Sequence, residues 1–92
     1  MALATIDIAR SFGLTEAELM EQALRHILLE KRREAMQERL ELLARYSVDS
    51  LAELEQRIAA GTVVEHPAWE DLIVVENLET SLEELDEHLR NL

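Results

Sequence analysis

From Ala17 the apolar residues Met20, Leu24, Ile27 and Leu28 recur at intervals of three and four, the repeat of one helical face. The stripe falters across Glu30-Lys31-Arg32-Arg33-Glu34 and resumes with Met36, Leu40, Leu43 and Tyr46. Nothing in the charged run breaks a helix, and Glu21/Arg25 and Glu41/Arg45 stand at the i,i+4 spacing that supports one, so a long helix is expected from about Glu16 to Tyr46. Thr15 and Glu18 have capping-box spacing at its start, with Leu14 and Leu19 at the staple positions around them. Ser50 and Glu53 repeat that spacing and open a short helix, Leu51 to Ala60, which Gly61 would end in the left-handed conformation that glycine tolerates. The most regular pattern comes last: Val75, Leu78, Leu82, Leu85, Leu89 and Leu92 alternate by three and four, the seam of a coiled coil. Pro67 suits a first helical turn, where its missing N–H would be unpaired anyway, so a third helix is expected over residues 67–92.

Residues 4–9 are ambiguous. Ala4-Thr5-Ile6-Asp7-Ile8-Ala9 alternates partly like a strand and is rich in β-branched residues. The same stretch also fits the start of a helix-turn-helix, with Ala9, Gly13 and Leu19 at the small, turn and core positions. The expected fold class is therefore all-α, with one short N-terminal strand as the open alternative. Residues 1–46 form an N-terminal segment and long helix, and residues 47–92 a helical second part of the same domain.

Length and composition then favour self-association. Ninety-two residues bury a modest share of their surface, and the apolar 48% is almost wholly aliphatic, with Phe12, Tyr46 and Trp69 as the aromatics. Narrow aliphatic stripes of this kind are usually closed by another copy or a partner, so a homo-oligomer, an intertwined helical dimer, is expected. Met20, Leu24, Ile27 and Leu28 are the candidate dimerisation residues. The absence of cysteine, of a secretory signal near Met1 and of any stretch approaching about 20 apolar residues makes a cytoplasmic protein without a membrane role the default.

Charge is distributed unevenly. Residues 46–92 hold twelve acidic side chains against Arg57 and Arg90, whereas the first 45 residues hold eight acidic and seven basic ones. A strong field of one sign draws in basic surfaces and repels nucleic acid. With Val75 at heptad position a, Glu79 and Asp86 fall at e, where parallel self-pairing would gain no salt bridge from them. These acids call for basic neighbours, either on another protein or on the Lys31-Arg32-Arg33 stretch of a second copy. The N-terminal segment has only Arg10 to meet phosphates, which argues against DNA binding there.

No phosphate loop, H-E-x-x-H or nucleophile elbow occurs, and no nucleophile, base and orienting group are set at informative spacing. His26/Glu30 and Glu84/His88 are four apart on helices, but a carboxylate metal site in a bundle needs several such ligands to converge. Neither a metal, nor a cofactor, nor an enzyme is expected. The segment Glu65-His66-Pro67-Ala68-Trp69-Glu70-Asp71 is the densest in functional residue types; His66 is a possible cap, and Trp69 is either a core plug or an anchor for a partner.

The order of segments resembles the small antitoxins of prokaryotic type II toxin-antitoxin pairs, the VapB-like kind in particular. The resemblance rests on the short Ile/Thr segment Ala4 to Ala9, then Gly-Leu-Thr-Glu-Ala-Glu-Leu running into Ala23-Leu24-Arg25 and Lys31-Arg32-Arg33, then the acidic half. It implies a dimer that contacts operator DNA with its N-terminal part and wraps a toxin with its C-terminal part, though the basic residues that operator binding wants are missing. On this reading the protein is a non-enzymatic interaction module that docks an acidic helix on a small basic toxin, with Trp69, Leu72, Val75, Leu78, Leu82, Leu85, Glu79 and Asp86 as the partner-binding residues. The alternatives are a self-contained helical homodimer and a weak DNA-binding regulator.

Overall fold

A computed structural model describes residues 4–92, and every regular element among them is helical: α1 (Thr5–Ser11), α2 (Glu16–Ala44), α3 (Leu51–Ala59) and α4 (Glu65–Arg90). The first three residues of the N-terminal segment lie outside the described residues. Where the alternation at Ala4–Ala9 left a strand open, the chain forms α1. A strand needs a neighbour to satisfy its backbone, and none exists among the described residues. The helix instead satisfies its own backbone, buries Ala9 and half-buries Ile8. The strand alternative is lost, and the turn of the helix-turn-helix outline falls at Gly13.

Helix α2 is uninterrupted through its charged middle. Both halves of the predicted capping box form: the Glu18 N–H donates to Thr15 Oγ1 at 3.1 Å and the Thr15 N–H to Glu18 Oε1 at 3.2 Å. The helix stops at Ala44, two residues before the expected Tyr46, because the chain closes with a Schellman turn. The Val48 N–H reaches the Leu43 carbonyl at 3.2 Å and the Ser47 N–H the Ala44 carbonyl at 3.1 Å. The same closure ends α1, through Leu14 to Ala9 and Gly13 to Arg10, and α3, through Thr62 to Arg57 and Gly61 to Ile58. In those two the left-handed residue is glycine, Gly13 at φ 71° and Gly61 at φ 70°. At the end of α2 it is Ser47, at φ 55°, where a Cβ costs about 1 kcal/mol.

Helix α4 begins at Glu65, two residues before the expected start, and Pro67 sits third in the helix, still within the turn whose N–H groups lack partners. It runs back antiparallel along α2. Arg39 Nε donates to Glu79 Oε1 at 3.1 Å and Arg32 Nε to Asp86 Oδ1 at 2.7 Å, one heptad further on in both helices and in opposite directions. The core lies at the closed end of this hairpin: Leu42, Leu43, Val48, Leu54, Leu72 and Val75, flanked by Tyr46, Leu51, Ile58 and Leu78. Burying each such Leu or Val is worth about 1.5–3 kcal/mol. Helix α3 serves as the plug, its Leu54 fully buried. Tyr46 pins the turn: its hydroxyl donates to Asp71 on α4, Arg45 Nη1 approaches the same carboxylate at 3.7 Å, and Arg57 Nη1 donates to the Tyr46 carbonyl at 3.2 Å.

The product is a rod. Its extents are 59 × 28 × 17 Å and its radius of gyration is 19.3 Å, against about 12 Å for a compact chain of this length.

Two outcomes follow from the closed end. Ser47→Gly relieves the left-handed strain, partly offset by the freer unfolded chain, and should stabilise the fold by about 0.5–1 kcal/mol in urea unfolding. Burial, with help from the hydrogen bond to Asp71 and the charge of that carboxylate, pushes the Tyr46 phenol from 10.0 up to about 12. A folded-state value raised above the unfolded one gives stability that is intact below pH 10 and is lost as pH climbs to about 12. Tyr46 is the sole tyrosine, so phenolate absorbance reads it directly, and Asp71→Asn should move the midpoint back towards 10.

Candidate interaction site

The residues expected to bind a partner through the α4 seam are placed inside this chain. Leu72, Val75 and Leu82 are buried and Leu78 and Leu85 half-buried, on the side of α4 that meets α2 and α3. Glu79 and Asp86 have found basic neighbours, and they are Arg39 and Arg32 of the same chain. Lys31-Arg32-Arg33 is correspondingly occupied. Arg33 makes two hydrogen bonds to Glu30, at 2.7 and 3.1 Å, which hold the Glu30 carboxyl below its usual range, and Lys31 stands 3.7 Å from Glu34.

Trp69 stands apart from its companions. It is 48% exposed, so it is not the core plug that was one of its two readings. Its indole N–H donates to Glu65 Oε1 at 3.1 Å, one turn back along α4, and its side chain lines a groove between α3 and α4. Ile58, Ala59 and Leu72 line the groove beside the ring, and Glu55 and Glu76 flank it. His66 does not cap: the N-cap is Val64, and His66 Nε2 lies 3.5 Å from Glu70.

Beyond the groove an acidic strip continues along the outward face of α4. Trp69, Glu76, Glu83 and Glu87 are spaced seven, seven and four, so they share that face. Glu76, Glu83 and Glu87 are exposed, and none is in an ion pair among the described residues. Glu83 and Glu87 sit i,i+4, where like charges repel. Sequence reasoning singled out Trp69 but missed Glu55, Glu76, Glu83 and Glu87 as its companions. Their sevenfold spacing was visible, and only the identity of the buried face makes it meaningful.

A second unpartnered surface lies at the other end of the rod. Met20 is 53%, Leu24 43% and Ile27 54% exposed, so the described residues leave the stripe expected to dimerise about half uncovered. Leu28 is half-buried where the end of α4, at His88, Asn91 and Leu92, reaches α2. Phe12, 69% exposed, extends the apolar surface onto the α1 side with Leu14 and Leu19.

Among the described residues no three His, Asp or Glu side chains gather as a metal site, and no described helix is long and apolar enough to cross a membrane. Around α1 the basic residues are Arg10 and, further on, Arg25, the latter already 3.4 Å from Glu21.

No curated protein and no solved structure matches this chain. A family model matches it over residues 1–92, its whole length, and the chain therefore belongs to the family described as Uncharacterized protein MJ0235 family.

Proposed function

We propose that this protein is a non-enzymatic interaction module that docks a basic protein on the acidic face of α3 and α4. The observation that carries the reading is the Trp69 groove: an aromatic wall held half in solvent, an apolar floor of Ile58, Ala59 and Leu72, and a carboxylate on each flank. An apolar anchor fits such a floor, and lysines or arginines beside it would meet Glu55, Glu76, Glu83 and Glu87. Leaving like-charged Glu83 and Glu87 together on a helix costs a few tenths of a kcal/mol, which a basic partner would reverse.

The narrower form of the proposal is an antitoxin that neutralises a small basic toxin, in keeping with the order of its segments and the excess of acid. It differs from the expectation drawn from the leucine seam in the face used. The seam is engaged by α2, so the toxin would meet the outward strip and leave the hairpin closed. A cytoplasmic setting suits a chain without cysteine.

Co-expression with the product of the adjacent gene tests this. A small basic protein should co-purify with the wild type, and binding should blue-shift the emission of Trp69, the sole tryptophan. Trp69→Ala and Glu76→Arg should each weaken the complex by about tenfold or more. Glu87→Lys should weaken it too while stabilising the free protein by about 0.5 kcal/mol, since it turns a repulsive i,i+4 pair into an attractive one. A partner retained equally by all three variants would end the assignment of this face.

A further inference from the structure

The apolar arm formed by α1 and the first half of α2 is unsolved by the reading above. Its residues belong to a stretch of α2 that runs past the end of α4: the last residues of α4 lie beside Leu24, Ile27 and Leu28, and everything from Glu16 to Ala23 projects further. Met20 on that projection and Leu24 and Ile27 beside the end of α4 form one row, each about half exposed. None of the described residues covers it further.

The charges beside this row show what does. On α2 the first turns are acidic, with Glu16, Glu18 and Glu21, and beyond the row Lys31, Arg32 and Arg33 stand between Glu30 and Glu34, with Lys31 in line with the row itself. Two such helices laid parallel set Glu16 against Glu16 and Lys31 against Lys31. Laid antiparallel, they set acid against base at both ends, which is the self-complementarity a two-fold interface requires. Helical spacing puts Glu16 and Lys31 at opposite ends of the same row, flanking Met20, Leu24 and Ile27. Glu16 is in no ion pair among the described residues, and Lys31 holds Glu34 only loosely, at 3.7 Å with both side chains more than half exposed.

We infer that two copies of this chain join through their α2 arms, antiparallel, with Leu24 near the two-fold axis, Met20 facing Ile27 of the second copy and Glu16 facing its Lys31. The arrangement removes the exposed row from water and turns two rods into one longer body with the closed ends, and the Trp69 grooves, at its far extremities. Leu29, Met36 and Leu40 make another exposed apolar row, seven and four apart on a different face of α2, but Arg33 and Glu30 beside it already satisfy one another. That row lacks an acid-to-base gradient of its own.

Sedimentation equilibrium of the full chain decides the matter. The wild type should be a dimer, and Leu24→Glu with Ile27→Glu should make it monomeric with its helical circular dichroism retained, since both positions are solvent-exposed within one chain. Glu16→Lys and Lys31→Glu should each raise the dimer Kd about fivefold or more, and the two together should bring it back to within about twofold of the wild type. A monomeric wild type would overturn the inference, as would a dimer that survives the arm double variant and so uses another face. Single charge reversals without effect on the Kd would overturn the antiparallel register. These variants lie far from Trp69, so loss of the dimer and loss of a basic partner are separately readable.

Discussion

Everything in this molecule depends on the antiparallel register of α4 against α2. Two ion pairs set it, Arg39–Glu79 and Arg32–Asp86, each a heptad from the other along both helices. Partly exposed pairs of this kind contribute about 0–1 kcal/mol each, so they are not what holds the hairpin shut. Their role is selective. A slip of α4 by one turn would separate both of these pairs at once. Stability comes from the aliphatic cluster at the closed end, where Leu43, Leu54 and Val75 are almost wholly removed from water.

That division of labour explains the taper of the rod. At the closed end three helices and the turn at Tyr46 meet, and apolar burial is deepest. Midway, Ala35 on α2 and Leu82 on α4 are still buried, a small residue opposite a large one in a two-helix contact. Further on, α4 ends and α2 continues with its apolar row uncovered. A two-helix hairpin has no third layer with which to close its open end.

The acid excess gains a different meaning in this light. Of the acids on α4, Asp71, Glu79 and Asp86 are spent on α2 and its end, in line with the demand of the heptad flanks for basic neighbours. Glu76, Glu83 and Glu87 lie exposed along another flank of the helix, in line with Trp69. One helix thus presents two acidic edges with separate duties, one closing the fold and the other facing outward. The charge count of −11 cannot distinguish them. Their difference is one of angle around the helix.

Local physics was legible in the residues themselves. The capping box at Thr15, the Ser50 cap, the left-handed Gly61 and the helical repeats of α2 and α4 all depend on neighbours within a turn or two, and the elements fall within about two residues of where the spacing puts them. The α1 segment was not legible, because Ile and Thr alternation favours a strand only where another strand is present to pair with it. Nor could the repeat in α4 say whose surface it meets. Val75, Leu78, Leu82 and Leu85 specify a seam, while Arg32 and Arg39, fifty-four and forty residues from the acids they meet, specify its partner. Periodicity determines which side of a helix turns from water; only the tertiary packing decides which surface covers it, because that choice is made by groups distant in the chain and close in space.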